Sequence, residues 1–252
     1  MAERYIREIY ESLKYWATWL PGIEIEIGDY GPINGFVFKP EGNVRDRGIK
    51  VATEDSSAIS SLSHKSKGSV AVTFQVAADM EQKVPGVPTG KAGIGITFSQ
   101  ESAVAFSAVG CQVSRAKDVS LLERQVLDGG ESWLKDGYVV VTQVVRAKSA
   151  TVMMSTSRDA EFVASASADL TAGFVDIGNA SLSLTSRVER NVNTALFAKK
   201  GVTPLFSGIR FDERFWSGWT GVPMDLASGG GQPSPFAALT PKAAERTPTT
   251  FR

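Results

Sequence analysis

Two pairs of segments in this chain alternate small apolar and small polar residues for longer than an ordinary surface strand needs. Val70, Val72, Phe74 and Val76 take every second place in residues 69–79. Ala92, Ile94, Ile96 and Phe98 do so in residues 91–99, and the pattern runs on through 103–111 with Val104 and Phe106. Phe162, Ala164, Ala166, Ala168 and Leu170 repeat it in residues 160–170, and Ala180, Leu182 and Leu184 in 179–188. Successive side chains of a strand point to opposite faces, so each segment predicts a ribbon with one apolar and one polar face. A length of about ten residues is also that of a tilted strand crossing a bilayer. Period-two alternation is equally the signature of a half-buried sheet in a water-exposed domain. Residue choice speaks for a mobile sheet: the second pair is built of Ala, Ser, Thr and Gly, which pack a core poorly.

At 252 residues the chain can bury a sizeable core in one domain or slightly more. Hydrophobic residues make up 42% and charged residues 21%, which predicts a globular chain rather than a disordered one. Lys plus Arg and Asp plus Glu both number 27, so no net charge draws the chain toward nucleic acid. Apolar runs such as residues 138–141 are too short for a transmembrane helix. Met1, Ala2, Glu3 and Arg4 lack the layout of a signal peptide, and Cys111 is the single cysteine. These features together predict a cytoplasmic protein.

Ile6, Ile9, Leu13, Trp16 and Leu20 predict an amphipathic helix over residues 3–20, stopped by Pro21 and Gly22. Ile23, Ile25 and Ile27 alternate with acidic residues as a strand, and Asn34-Gly35 signals a hairpin turn before Phe36. Residues 41–66 read as polar loop with short structure. The first long hairpin follows, with its turn at 84–90. A helix is predicted over 118–128 with Asp118 as N-cap. Strands are expected at 138–145, 147–154 and 194–206, around the second hairpin. The fold class is therefore α+β, a twisted and mostly antiparallel sheet with an N-terminal helix, an internal helix and two long alternating hairpins. From Ala227 the composition changes: Ser228, Gly229, Gly230, Gly231 and Gln232 open a linker before an Ala-, Thr- and Pro-rich tail.

Enzyme chemistry finds little support. His64 is the only histidine and sits in a Ser-rich stretch, where a solvated loop residue is the default reading. The serine elbow of a hydrolase is missing, and Cys111 ends a strand where packing is its ordinary role. Residues 86–92 lack one residue of a phosphate loop and carry Ala92 where a metal-binding Ser or Thr belongs. Gly93-Ile94-Gly95-Ile96 lies inside a strand pattern, and Glu24 and Glu26 share a solvated face. No cofactor or metal site is expected.

The order of segments resembles the pore-forming N-terminal domain of the gasdermin family over roughly residues 1–215. The residues carrying the resemblance are Lys67-Gly-Ser-Val-Ala-Val-Thr-Phe, the Gly-rich strand 90–98, and the Ser/Ala/Val strand 104–113. Leu121-Leu-Glu-Arg-Gln-Val-Leu, Gly137-Tyr-Val-Val-Val-Thr-Gln-Val-Val and Leu196-Phe-Ala-Lys-Lys-Gly-Val-Thr-Pro-Leu-Phe complete it. The short stretch after the linker is similar to the short-tailed bacterial and fungal type. The resemblance implies a cell-death or defence effector with a pore-forming body at 1–226 and an inhibitory tail at 227–252. Phe236, Leu239 and Phe251 would cover the body until a protease cuts near Ser228–Gln232. Both hairpins would then enter a membrane, the subunits pairing into a closed ring. Lys199, Lys200, Arg210 and Arg214 would meet anionic headgroups, with a solvated strand end as their plain alternative. A second reading is an α+β module that binds a partner protein through residues 211–219 and never meets a membrane.

Overall fold

The computed structural model describes residues 2–19, 23–56, 59–76, 84–129, 132–166, 184–197, 202–214 and 218–224. Helix α1 is Ala2–Leu13 and helix α2 is Val119–Gly129. The strands begin with β1 (Trp16–Ala17), β2 (Asp29–Asn34), β3 (Val37–Phe38), β4 (Gly42–Asn43), β5 (Thr53–Asp55) and β6 (Ile59–Lys65). The middle of the chain supplies β7 (Val70–Gln75), β8 (Ala92–Phe98), β9 (Val104–Ala116), β10 (Tyr138–Ala147) and β11 (Ser149–Ser155). Then come β12 (Ala160–Ala166), β13 (Leu184–Arg190), β14 (Val192–Phe197), β15 (Val202–Arg214) and β16 (Gly218–Pro223). The fold is α+β and the described strand pairs are all antiparallel.

The described strands form two sheets. The larger has twelve strands around the path β1-β15-β10-β9-β11-β14; the smaller has four in the order β13-β12-β8-β7. Long β9 and β10 centre the large sheet, and Val139, Val140, Val141, Val144 and Val145 are wholly buried, as an unbroken apolar run predicts. Strand β9 separates two cores. Val104, Phe106 and Ala108 face the large core, whereas Ala105 faces a small core shared with the four-stranded sheet. Strand β11 divides likewise, Val152 and Met154 on one side and Met153 on the other.

Five local expectations are corrected. Ile23, Ile25 and Ile27, expected as a strand, lie in irregular chain, Ile25 and Ile27 being buried in the large core and Ile23 exposed. Helix α1 stops at Leu13 rather than running to Leu20. Lys14 turns left-handed (φ 61°) while its N–H still donates to the Tyr10 carbonyl at 2.9 Å. Trp16 then pairs with Phe206 in β1, and its indole N–H donates to the Phe36 carbonyl at 2.9 Å. The period of Trp16 fitted a helix, but burial on the sheet decides its place. The β2–β3 turn is Gly35-Phe36, one residue later than Asn34-Gly35, because Asn34 pairs with Val37. Phe36 accepts a positive φ of 72° because it is buried, stacked on Trp16 and capped by the Arg7 guanidinium 4.5 Å from its ring. Residues 41–66, read as loop, contain β4, β5 and β6, the last pairing along β9 from Ile59↔Cys111 to Lys65↔Ala105. Its Ser-rich sequence hides a strand whose place is set by its neighbour rather than by its own propensity. The single strand expected at 194–206 is two, β14 and the start of β15, in different parts of the large sheet.

Candidate membrane-inserting sheet

The four-stranded sheet joins two hairpins that are far apart in sequence. Strand β12 pairs with β8 from Ala160↔Phe98 to Ala166↔Ala92, so the inner strand of each hairpin zips to the other. Strands β7 and β13 are left as the two edges. Alternation places Ile94, Ile96, Phe98, Phe162 and Ala164 together on the inward face, all at most 1% exposed. Val70, Val72 and Phe74 are half-buried against them. On the opposite face Ala71, Thr73 and Thr97 are exposed, and Arg190 of β13 reaches Glu161 of β12 at 3.9 Å. Val76 follows β7 and is half-buried.

The small core is shallow. Among the described residues it has eleven buried members, five of them alanines, and the rest of the molecule contributes only Ala103, just before β9, with Ala105, Met153 and Val192 of the large sheet. The body offers mostly small side chains here, so adhesion of the four-stranded sheet rests on its own Ile94, Ile96, Phe98 and Phe162 and on Met153, in a core much smaller than the Val- and aromatic-filled large one. Thr151 lies beside Met153 in β11, buried, with no hydrogen-bond partner for its hydroxyl among the described residues.

Helix α1 covers the opposite side of the large sheet. Tyr5, Ile6 and Ile9 are wholly buried, and the Tyr5 ring lies 6.4 Å from that of Phe106. Burial pushes the Tyr5 phenol far above its ordinary value. Glu8 fixes the helix: its carboxylate bonds His64 Nε2 at 3.1 Å, accepts from the Ser66 hydroxyl, and accepts from Arg4 Nε at 3.0 Å. Burial alone would raise this carboxyl, but the hydrogen bonds from His64, Ser66 and Arg4 outweigh it and hold the group below its ordinary value. The Ser66 oxygen also accepts from the Val104 N–H at 2.7 Å, tying helix, β6 and β9 into one knot. His64, expected on a solvated loop, is therefore a mostly buried strand residue. Sequence reasoning missed the knot because its members are 56 and 58 positions apart.

The expected site residues divide into three groups. Val70, Val72, Phe74, Ile94, Ile96, Phe98, Phe162 and Ala164 are brought together. Ala166 and Leu184 face each other in the β12–β13 register. Val104 and Phe106 are placed elsewhere, in β9 with their side chains in the large core under α1. Arg210 donates to Asp212 at 2.6 Å within β15, so its charge is already compensated, and Arg214 ends that strand. Leu170, Leu182, Lys199, Lys200, Ser228, Gly229, Gly230, Gly231, Gln232, Phe236, Leu239 and Phe251 lie outside the described residues. Cys111 is buried and free, its thiol pushed up to about 11 by that burial. No described helix is long and apolar enough to cross a membrane, which leaves strands untouched by that test.

No protein-family model matches the chain, and no curated protein matches it. Among solved structures it is similar to the cryo-EM structure of the gasdermin A3 membrane pore, at 12% identity over 73% of this chain and 72% of that one, with a TM-score of 0.27. A likeness so distant leaves function to be argued from the residues themselves.

Proposed function

We propose that this chain is a pore-forming protein whose four-stranded sheet leaves the body and enters a membrane. The observation that supports this most is the pairing of two sequence-distant alternating hairpins into a separate four-stranded sheet with its own small core, to which the rest of the molecule offers mostly small side chains. Entry into lipid would turn the Ile94, Ile96, Phe162 face outward and keep the Thr73, Thr97 face wet. Edges β7 and β13 would pair between neighbouring subunits, because an unpaired strand edge in hydrocarbon leaves backbone groups unsatisfied. Closure into a ring of copies follows from the same requirement.

Residues 227–252 act in this reading as an inhibitory tail, with Phe236, Leu239 and Phe251 as its apolar anchors. Covering an apolar patch with each would contribute ~1.5–3 kcal/mol, less the entropy of ordering the segment. Cutting at Ser228–Gln232 releases it. The test is dye release from anionic liposomes by the intact chain and by the chain ending at Ala227. Leakage from the shortened chain alone supports both pore and tail. Leakage from both keeps the pore and removes the lock. Silence from both, with the shortened chain folded, assigns the protein to partner binding instead.

A further inference from the structure

The wet face of the four-stranded sheet is not open at its centre. Residues 84–91 fold back over β8 and lie on its two glycines. A Cβ built on Gly95 would stand 2.8 Å from Val84 Cγ1, and one on Gly93 would stand 2.5 Å from Val87 Cγ2. The alternation Gly93-Ile94-Gly95-Ile96 thus has a cause: isoleucines fill the small core, and glycines make room for the segment on the other face. Val84 is 2% exposed. Under the same segment Val163 and Ser165 of β12, which pair with Gly95 and Gly93, are buried. A Cβ on Gly86 would meet Val163 at 3.7 Å.

One side chain holds the segment down. Gln75, at the end of β7 and 3% exposed, accepts the Val84 N–H at 2.9 Å. Its amide nitrogen donates to the carbonyls of Pro88 at 3.1 Å and Lys91 at 3.0 Å. The segment is also stiff. Val87 N–H closes a turn on the Val84 carbonyl, with Pro85 second and Gly86 third at φ 85°. Lys91 N–H closes another on Pro88, with Gly90 third at φ 80°. Both have the form of type II turns, so little chain entropy opposes docking.

Strand length gives this strap its consequence. β7 has six residues and β8 seven, whereas a strand that crosses a bilayer needs about 9–11. On the strap's side β7 ends at Gln75, with Val76 outside the strand, and β8 begins at Ala92, immediately after the strap's second turn. We propose that residues 84–91 are a latch: while Gln75 holds them on Gly93 and Gly95 the first hairpin cannot lengthen, and lifting them is the step that makes it long enough to span. This rests on the pore-forming reading, and its test separates the two.

The test uses the full chain with a protease site built into Ser228–Gln232 and cut after purification. A Cβ on Gly95 lies 4.0 Å from Val84 Cβ, within the range of about 3.5–4.5 Å that a disulfide bridges. The Val84→Cys/Gly95→Cys pair therefore locks the strap when oxidised. Leakage of anionic vesicles is expected from the reduced pair and lost, by tenfold or more, from the oxidised pair. Equal leakage from both overturns the latch and leaves the pore. In parallel, Val84→Cys alone is labelled with a maleimide, with and without vesicles containing phosphatidylserine. Labelling is expected to speed up at least tenfold on vesicles; an unchanged rate overturns the latch. If nothing leaks in any form, the pore reading falls and the labelling result alone decides the strap. Adding Gln75→Ala to Val84→Cys, which removes all three bonds without touching either core, is expected to give fast labelling even without vesicles; a rate equal to that of Val84→Cys alone overturns the hold assigned to Gln75.

Discussion

Glu8 concentrates more structure than any other charged residue described here. Three donors from α1, β6 and the β6–β7 connection converge on one carboxylate, and their combined pull exceeds the burial that opposes it. A carboxyl held low in the folded state stabilises that state at pH values above the ordinary carboxyl range. The contribution is lost as pH falls through that range to the depressed folded value. Glu8→Ala is thus expected to cost about 1–3 kcal/mol near neutral pH. The gap from wild type closes as pH drops below about 4. Thermal melts of the two proteins from pH 3 to 7 check it; a gap that persists unchanged at pH 3 contradicts the assignment. Cys111 offers a second residue-scale reading. At 1% exposure and with its thiol pushed up to about 11, it is expected to react with iodoacetamide on the order of a hundredfold more slowly than a free thiol at pH 8. Fast labelling of the native chain would show that β9 opens. The role of Glu8 is not legible in the sequence, since His64 looks like a loop residue until β6 is seen against β9, whereas the packing of Cys111 in a strand is.

Among the elements, the two sheets differ in what holds them. The large core gathers Val139, Val140, Val141, Phe106, Phe206 and many more buried side chains, whereas the small core has eleven buried members among the described residues, the body supplying Ala103, Ala105, Met153 and Val192. Burial scales with methylenes, so the small sheet opens at lower free energy. Native-state hydrogen exchange is expected to release amides of β8 and β12 at least tenfold faster than those of β9 and β10. The opposite order would remove the basis for a detachable sheet. Legibility follows the same physics. Alternation announced β7, β8 and β12, and the unbroken valines announced β10, because burial pattern and period agree there. Trp16 and β6 were misread because their environment comes from partners far along the chain: Phe206 for Trp16, and β9 for the whole of β6. Gly93 and Gly95 were legible as strand residues, yet what they make room for was not, since the strap approaches from outside the strand pattern.

At the scale of the whole molecule, α1, the large sheet and the small sheet are layered, with β9 and β11 shared between the two cores. On the proposed function the outer sheet would depart without unfolding the body, because the Val104 and Phe106 face would stay under α1 while the Ala105 face is uncovered. Val104 and Phe106 would therefore, on that reading, stay with the body, although their alternation continues that of the first hairpin. The central claim is that one face of the small sheet meets lipid and the other water. Val72 and Thr73 are neighbours in β7 on opposite faces, half-buried and exposed respectively, and a thermal melt of each arginine variant establishes that it folds. An arginine on the lipid face costs ~2–4 kcal/mol at the bilayer midplane, in every subunit of a ring. The measurement is dye release from anionic liposomes by the tail-cleaved chain, its Val72→Arg variant and its Thr73→Arg variant. The account predicts that Val72→Arg loses leakage by a hundredfold or more while Thr73→Arg stays within a few fold of the parent. Equal leakage from the two variants, or loss confined to Thr73→Arg, would contradict it.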